Sequence, residues 1–199
     1  MIMKIGCKKL KGVVRMKVRH AVHQDIPKIA EIHVKSWQTT YQGIINQDYL
    51  DGLNIKDRKE SWRKRSLEGT FVAEDADGVF GFASFGKQRD ERYSTYDGEL
   101  YAIYLLQQKQ KSGAGIALIA KGVDYLIEKG YQRLMLWVFE QNSAKQFYQK
   151  LQPSFVVTSQ FELAGENHNE IGYGWELSIL NNHVQRIKSS ASSNNERKK

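Results

Sequence analysis

The sequence predicts an α/β domain in which about seven strands alternate with helices. Three observations carry this reading. Between residues 17 and 180, short segments of alternating or unbroken apolar character are interleaved with segments whose apolar residues recur at helical spacing. Asp77-Gly78 lies between two apolar runs, the mark of a tight hairpin. Residues 99–129 read as a strand, a polar loop with two glycines, and a helix.

Residues 17–22 alternate weakly and form the first strand. Asp25 precedes Ile26 and Pro27, a cap followed by a proline in the first turn, and Ile26, Ile29, Ala30, His33 and Trp37 continue at helical spacing. The connection over residues 37–47 carries Gly43 and several polar groups, which suits a loop over an open site. Tyr49, Leu50 and Leu53 mark a brief second helix. Asn54 caps a third that includes Ile55, Arg58, Trp62 and Arg65. Residues 70–74 and 79–85 form the hairpin, 86–98 a loop and 99–105 the next strand. A helix over 113–129 ends at Gly130, and 134–139 is a short apolar strand suited to a buried place. Residues 143–151 are helical, and 155–161 and 171–180 close the sheet around a turn at 165–168.

The 199 residues suffice for one domain with a substantial core, and 41% hydrophobic residues, 11% aromatics and 2 prolines describe a globular chain. No apolar run reaches membrane-span length, and the amino terminus lacks a signal-peptide core, so no membrane role and a cytoplasmic location are expected. The single Cys7 excludes an internal disulfide and a Cys-rich zinc site. The net charge of +8 is concentrated at the ends: residues 1–19 hold seven bases and no acid, residues 183–199 sum to +4, and residues 20–182 are left at −3. No aromatic interleaves either basic segment, which argues for solvated tails and against nucleic acid as a partner. The organisation expected is therefore a basic extension over 1–15, a domain over 16–182 and a disordered basic tail over 183–199. Met16 reads as a natural start. His20 and His23 have no third ligand nearby, His33 sits on an apolar stripe as a core residue, and His168 belongs to a turn, so no metal site is expected.

Glycines between a strand and a helix let backbone N–H groups converge on an anion that the helix dipole also favours. Leu118 stands where a dinucleotide fingerprint needs its third glycine, and no P-loop triplet is present. Gln110, Gly113 and Gly115 match the Gln/Arg-x-x-Gly-x-Gly/Ala loop of the GNAT acyltransferases, and Glu99, Ile103, Tyr104 and Leu105 occupy the places expected in the strand that feeds it. Downstream, Asn142, Ala144, Phe147 and Tyr148 are similar to the family's Asn-x-Ala-x-x-Phe-Tyr helix. The resemblance covers about residues 17–180 and extends to 37–45, which look like the acceptor side of a GNAT subgroup. Two departures stand out: Leu151 is followed by Gln152, Pro153 and Ser154 where the family has Leu-Gly-Phe or Leu-Gly-Gly, and the Lys111-Ser112 order moves a positive charge by one position.

The resemblance implies a mixed, mostly antiparallel sheet of about seven strands with helices on both faces, and a splayed central strand pair that takes the pantetheine arm of acetyl-CoA along Ile103, Tyr104 and Leu105, with Asn142 bonding that arm. The pyrophosphate would rest on Gln110, Lys111, Ser112, Gly113, Ala114, Gly115 and Ile116. It implies direct acetyl transfer in a ternary complex to a primary amine of a small molecule or peptide, by a monomer or homodimer. Glu99 is the candidate general base, or else an ordinary ion-paired carboxylate; Tyr148 is the candidate acid, or else packing beside Phe147. Trp37 and Tyr41, four apart, face the acceptor or fill the core. Loop acids Asp48, Asp51, Asp90, Glu91 and Asp97 offer attraction to a cationic amine. The alternative function is an acyl-CoA-binding regulatory module of the same fold that does no chemistry.

Overall fold

The structure is a computed structural model that describes residues 16–196; the expected extension over 1–15 and residues 197–199 lie outside the described residues. Seven strands form one sheet in the order β1-β2-β3-β4-β5-β7-β6. They are β1 (Lys17–His20), β2 (Thr70–Asp75), β3 (Gly78–Lys87), β4 (Gly98–Leu105), β5 (Arg133–Phe139), β6 (Phe155–Leu163) and β7 (Glu166–Glu176). Every pairing is antiparallel except β4 with β5, which the crossover helix between them makes parallel.

Helices α1 (Ile26–Thr40) and α3 (Ile55–Arg63) cover one face, where Ile29, Ile32 and Trp62 pack on Val72 and Phe82. Helix α4 (Ala114–Glu128) covers the other, where Leu118, Val123 and Leu126 join Phe71, Phe85, Leu136 and Trp175. Gly122 permits that approach, because a Cβ there would lie 2.1 Å from the Phe85 ring. The short α2 (Gln47–Asp51) sits beside Tyr41, Ile45 and Phe139. Asn54 caps α3 as its sequence predicts, accepting from the Asp57 N–H at 2.8 Å. Asp25 is no such cap: its carboxylate accepts from the Val22 N–H at 2.9 Å and pairs with Arg19 at 2.6 Å.

The carboxy-terminal expectations change most. The last strand ends at Glu176, and α6 (Leu177–Glu196) occupies residues expected to be strand through 180 and disordered from 183. Val184 is fully buried, and Ile187 packs on the same core as Leu177 and Leu180. These four residues recur at helical spacing on one face. The surrounding Ser, Asn and Lys conceal so sparse a stripe in any compositional reading.

Helix α1 also runs to Thr40, so Trp37 belongs to a helix and the loop over the site starts only at Tyr41. Gln152, in the place of the family's usual glycine, has φ of 53°, so the chain keeps the left-handed turn that a glycine would take most easily.

Candidate active site

The site begins with a bulge. Between β3 and β4 the register shifts, so that Ser84 faces Ala102 while Phe85 faces Leu100, leaving Tyr101 as the extra residue. On the other side of β4, the pairing with β5 covers only Gly98 with Leu134, Glu99 with Met135 and Leu100 with Leu136. Pairing therefore stops one residue before the bulge, and the two strands diverge. Residues 101–105 have no ladder partner toward β5 among the described residues, which leaves a wedge edged by Ile103, Tyr104 and Leu105.

At the end of β4 the chain turns through residues 107–113 into α4. Lys111 and Gly113, on either side of Ser112, are both left-handed, at φ of 58° and 85°. Lys109 fastens this loop to the β2–β3 hairpin through Asp75 at 2.7 Å and Asp77 at 2.8 Å. Ser112 Oγ donates to the Lys109 carbonyl at 2.7 Å.

The first backbone bond of α4 runs from the Ala117 N–H to the Gly113 carbonyl, and no side chain caps the helix. The amides of Ala114, Gly115 and Ile116 precede that bond and have no acceptor within the helix. A Cβ on Gly113 would meet nothing within 4 Å, and one on Gly115 would first meet the Phe147 ring at 3.6 Å. Side chains thus leave Gly113 open and Gly115 uncrowded, the clearance that close approach of a phosphate to the helix start requires. Gln110 turns its amide toward the Leu105 carbonyl, at a long 3.5 Å.

Polar side chains meet behind the wedge. The Trp37 indole N–H donates to the Tyr104 hydroxyl at 2.9 Å. The Tyr41 hydroxyl lies near Tyr104 and Asn142, and burial lowers its acidity. Asn142 Oδ1 also accepts from the Ala144 N–H at 2.8 Å, fixing the turn into α5 (Lys145–Gln149). Tyr148, on α5, is buried with its ring 5.3 Å from Phe147. Burial first, and then the neighbouring Tyr41 phenol, hold its hydroxyl well above the ordinary phenol range, so it keeps its proton at neutral pH.

Glu99 is buried and occupied. Its Oε2 accepts from the Arg89 backbone N–H and from Arg89 Nε, each at 3.0 Å, and its Oε1 accepts from Arg89 Nη2. Among the two sequence readings of Glu99, this geometry matches the ion-paired carboxylate.

A profile of the acetyltransferase (GNAT) family matches residues 26–152, a span that contains the wedge, the glycine loop and α5. The chain belongs to the acetyltransferase (GNAT) family. Consistent with that membership, it is 50% identical over 171 residues to YuaI of Bacillus subtilis, an uncharacterized N-acetyltransferase, covering 85% of this chain and 98% of that one. Among solved structures, YncA of Salmonella typhimurium, determined with acetyl-CoA, superposes with a TM-score of 0.61 at 23% identity over 81% of this chain and 94% of that chain. The PaiA N-acetyltransferase of Thermoplasma acidophilum, determined with coenzyme A, gives 0.59 at 18% over 81% and 99%. At these identities the two structures speak for the fold.

Seen as a GNAT acetyltransferase, the chain has a second feature its motifs do not announce. A groove of about 700 Å³ is lined by Trp37, Ala102 and Tyr104 on the α1 and α3 side of β4 and by Arg89, Tyr101 and, from the end of α4, Tyr125 and Lys129. Trp37 lines it, whereas Tyr41 lies in the apolar cluster with Ile45 and Phe139. The loop acids expected to draw in a cation are elsewhere or engaged: Asp97 accepts from the Gln132 and Arg133 N–H groups, Asp90 pairs with Arg92, and Asp51 accepts from Gln47. The sequence signal for the groove's own charges was Arg58 and Arg65 flanking the buried Trp62 in and just beyond α3, cations at the positions of an apolar stripe.

No helix among the described residues is long and apolar enough to cross a membrane.

Proposed function

We propose that this GNAT enzyme transfers the acetyl group of acetyl-CoA directly to a primary amine in a ternary complex. The observation that carries the reading is the coincidence of the Tyr101 bulge, the end of β4–β5 pairing at Leu100 and the open amide loop at Gly113, all on one strand–loop–helix unit. Residues 103–105, without a ladder partner on their β5 side, suit an extended pantetheine arm added along β4, and the amides of residues 114–116 suit its pyrophosphate. Asn142, whose Oδ1 is held by the Ala144 N–H at the turn into α5, is the residue assigned here to bond the arm.

The neutral amine nitrogen attacks the thioester carbonyl carbon; the C–N bond forms, the C–S bond breaks, and the nitrogen gives up its surplus proton to solvent. Tyr148, held protonated by burial, supplies a proton or hydrogen bond to the leaving sulfur. Glu99 anchors Arg89, and with three N–H donors on its two oxygens its proposed part is positioning.

The experiment is acetyl-CoA with a panel of amines, read as free thiol. Amine-dependent release of CoA is expected. Tight acetyl-CoA binding with no release by any amine would favour the regulatory-module alternative.

A further inference from the structure

The groove beside β4 is cationic, and three of its charges have no ion-pair partner among the described residues. Arg58, Arg65 and Lys87 line it, and no carboxylate lies within ion-pair distance of any of them among the described residues. Its one lining carboxylate, Glu68, is paired with Lys129 at 2.7 Å, and Arg89 is already held by Glu99. The guanidinium of Arg65 lies 5.6 Å over the Trp62 ring, and that of Arg89 lies 4.3 Å over Tyr101, so aromatic faces orient both side chains.

The charges also feel one another. Partial desolvation and the nearby Arg58 and Arg89 lower the basicity of Arg65, and His33 in the groove wall is kept neutral by burial and by Arg58 and Arg65. Guanidinium groups gathered in a concavity without counter-charges repel one another until an anion enters, and their planar forks match a carboxylate or phosphonate. Ala102 and Tyr104 of β4 also line the groove, and Tyr104 is one of the residues that edge the wedge. An anion held at Arg58 and Arg65 would therefore belong to the acceptor molecule.

We infer that the acceptor is a small amine that itself carries an anionic oxygen group, as an amino acid or aminophosphonate does, with Arg58 and Arg65 binding that group. This rests on the acetyl-transfer reading and names the substrate class of the same site. A polycationic amine would meet repulsion in the same groove.

The test compares amino acids such as glutamate, methionine and phenylalanine with their carboxamides, an aminophosphonate and spermidine, each with acetyl-CoA and thiol detection. A charged hydrogen-bonded pair predicts that the free acid exceeds its carboxamide in kcat/KM by about 10–100-fold. In Arg58→Met and Arg65→Met that ratio should fall toward one through a rise in KM, and Arg65→Lys should restore part of it; unfolding midpoints check that the variants are folded. Carboxamides or spermidine turned over as well as the free acids would overturn the inference and leave acetyl transfer standing. A preference for the acid unchanged in both methionine variants would overturn the assignment to these arginines. No release by any of these amines, with acetyl-CoA bound, would overturn both this inference and the acetyl-transfer reading, a pattern distinct from the other two.

Discussion

The Trp37 indole and the Tyr104 hydroxyl, 67 positions apart in the chain, are joined by a 2.9 Å hydrogen bond that ties α1 to the free edge of β4. Tyr104 also stacks against His33 at 5.0 Å. Tyr104→Phe removes the acceptor and keeps the ring, so stability should fall by about 1–2 kcal/mol, read as a lower urea midpoint at unchanged slope.

Tyr148→Phe deletes one hydroxyl from a buried ring that packs on Phe147 and Tyr173. Acetyl-CoA affinity should hold while single-turnover acetyl transfer at saturating cofactor slows by about a hundredfold or more. A rate equal to the parent's across the pH range would reduce Tyr148 to packing.

Gly113 combines a φ of 85° with open space in front of its Cα. Gly113→Val should weaken acetyl-CoA binding by tenfold or more, since the branched side chain both disfavours that backbone and occupies the path to the amides. Titration of a variant shown to be folded checks it; unchanged affinity would remove the loop from the cofactor site.

His33 accepts from the Trp62 indole N–H at 3.3 Å, and burial first, then the charges of Arg58 and Arg65, lower its pKa to about 3. Because the unfolded chain takes up this proton near pH 6.5 and the folded chain does not until about pH 3, His33 subtracts stability as pH falls through that window. The slope attributable to it approaches about 1.4 kcal/mol per pH unit below pH 6. Between pH 6.5 and 5, above the window in which Asp25 is protonated, the loss should be smaller in His33→Gln than in the parent, as measured by chemical denaturation at both pH values.

Gln152 is exposed, left-handed at φ of 53° and followed by Pro153, which further restricts its backbone. Gln152→Gly should raise stability by about 0.5–1 kcal/mol despite the entropy that glycine adds to the unfolded chain. A lower unfolding midpoint would show that the Gln152 side chain contributes more than its backbone strain removes.

Local signals were enough to write most of the fold. The Asp-Gly hairpin, the Asn54 cap, the Gly130 stop and the strand–glycine loop–helix unit all act over a few residues, where turn chemistry and side-chain periodicity dominate, and each stands where the sequence put it. The paired motifs at 110–115 and 142–148 likewise named the family, because amides presented to a phosphate need glycines at fixed spacing. Helix α6 escaped because its apolar residues are few and their burial depends on α4, which lies some 50 positions earlier in the chain.

What the tertiary structure alone decided was partnership. Sequence left Glu99 open between base and ion pair; the fold brings Arg89, ten positions away across a loop, onto both its oxygens. Sequence counted loop acids as the attraction for an acceptor; the fold engages Asp90 with Arg92 and Asp97 with the N–H groups of Gln132 and Arg133, and instead gathers Arg58, Arg65 and Lys87 into one groove. A charge acts through its distance to other charges and through the water removed around it, and both quantities exist only once strands and helices from separate parts of the chain have packed.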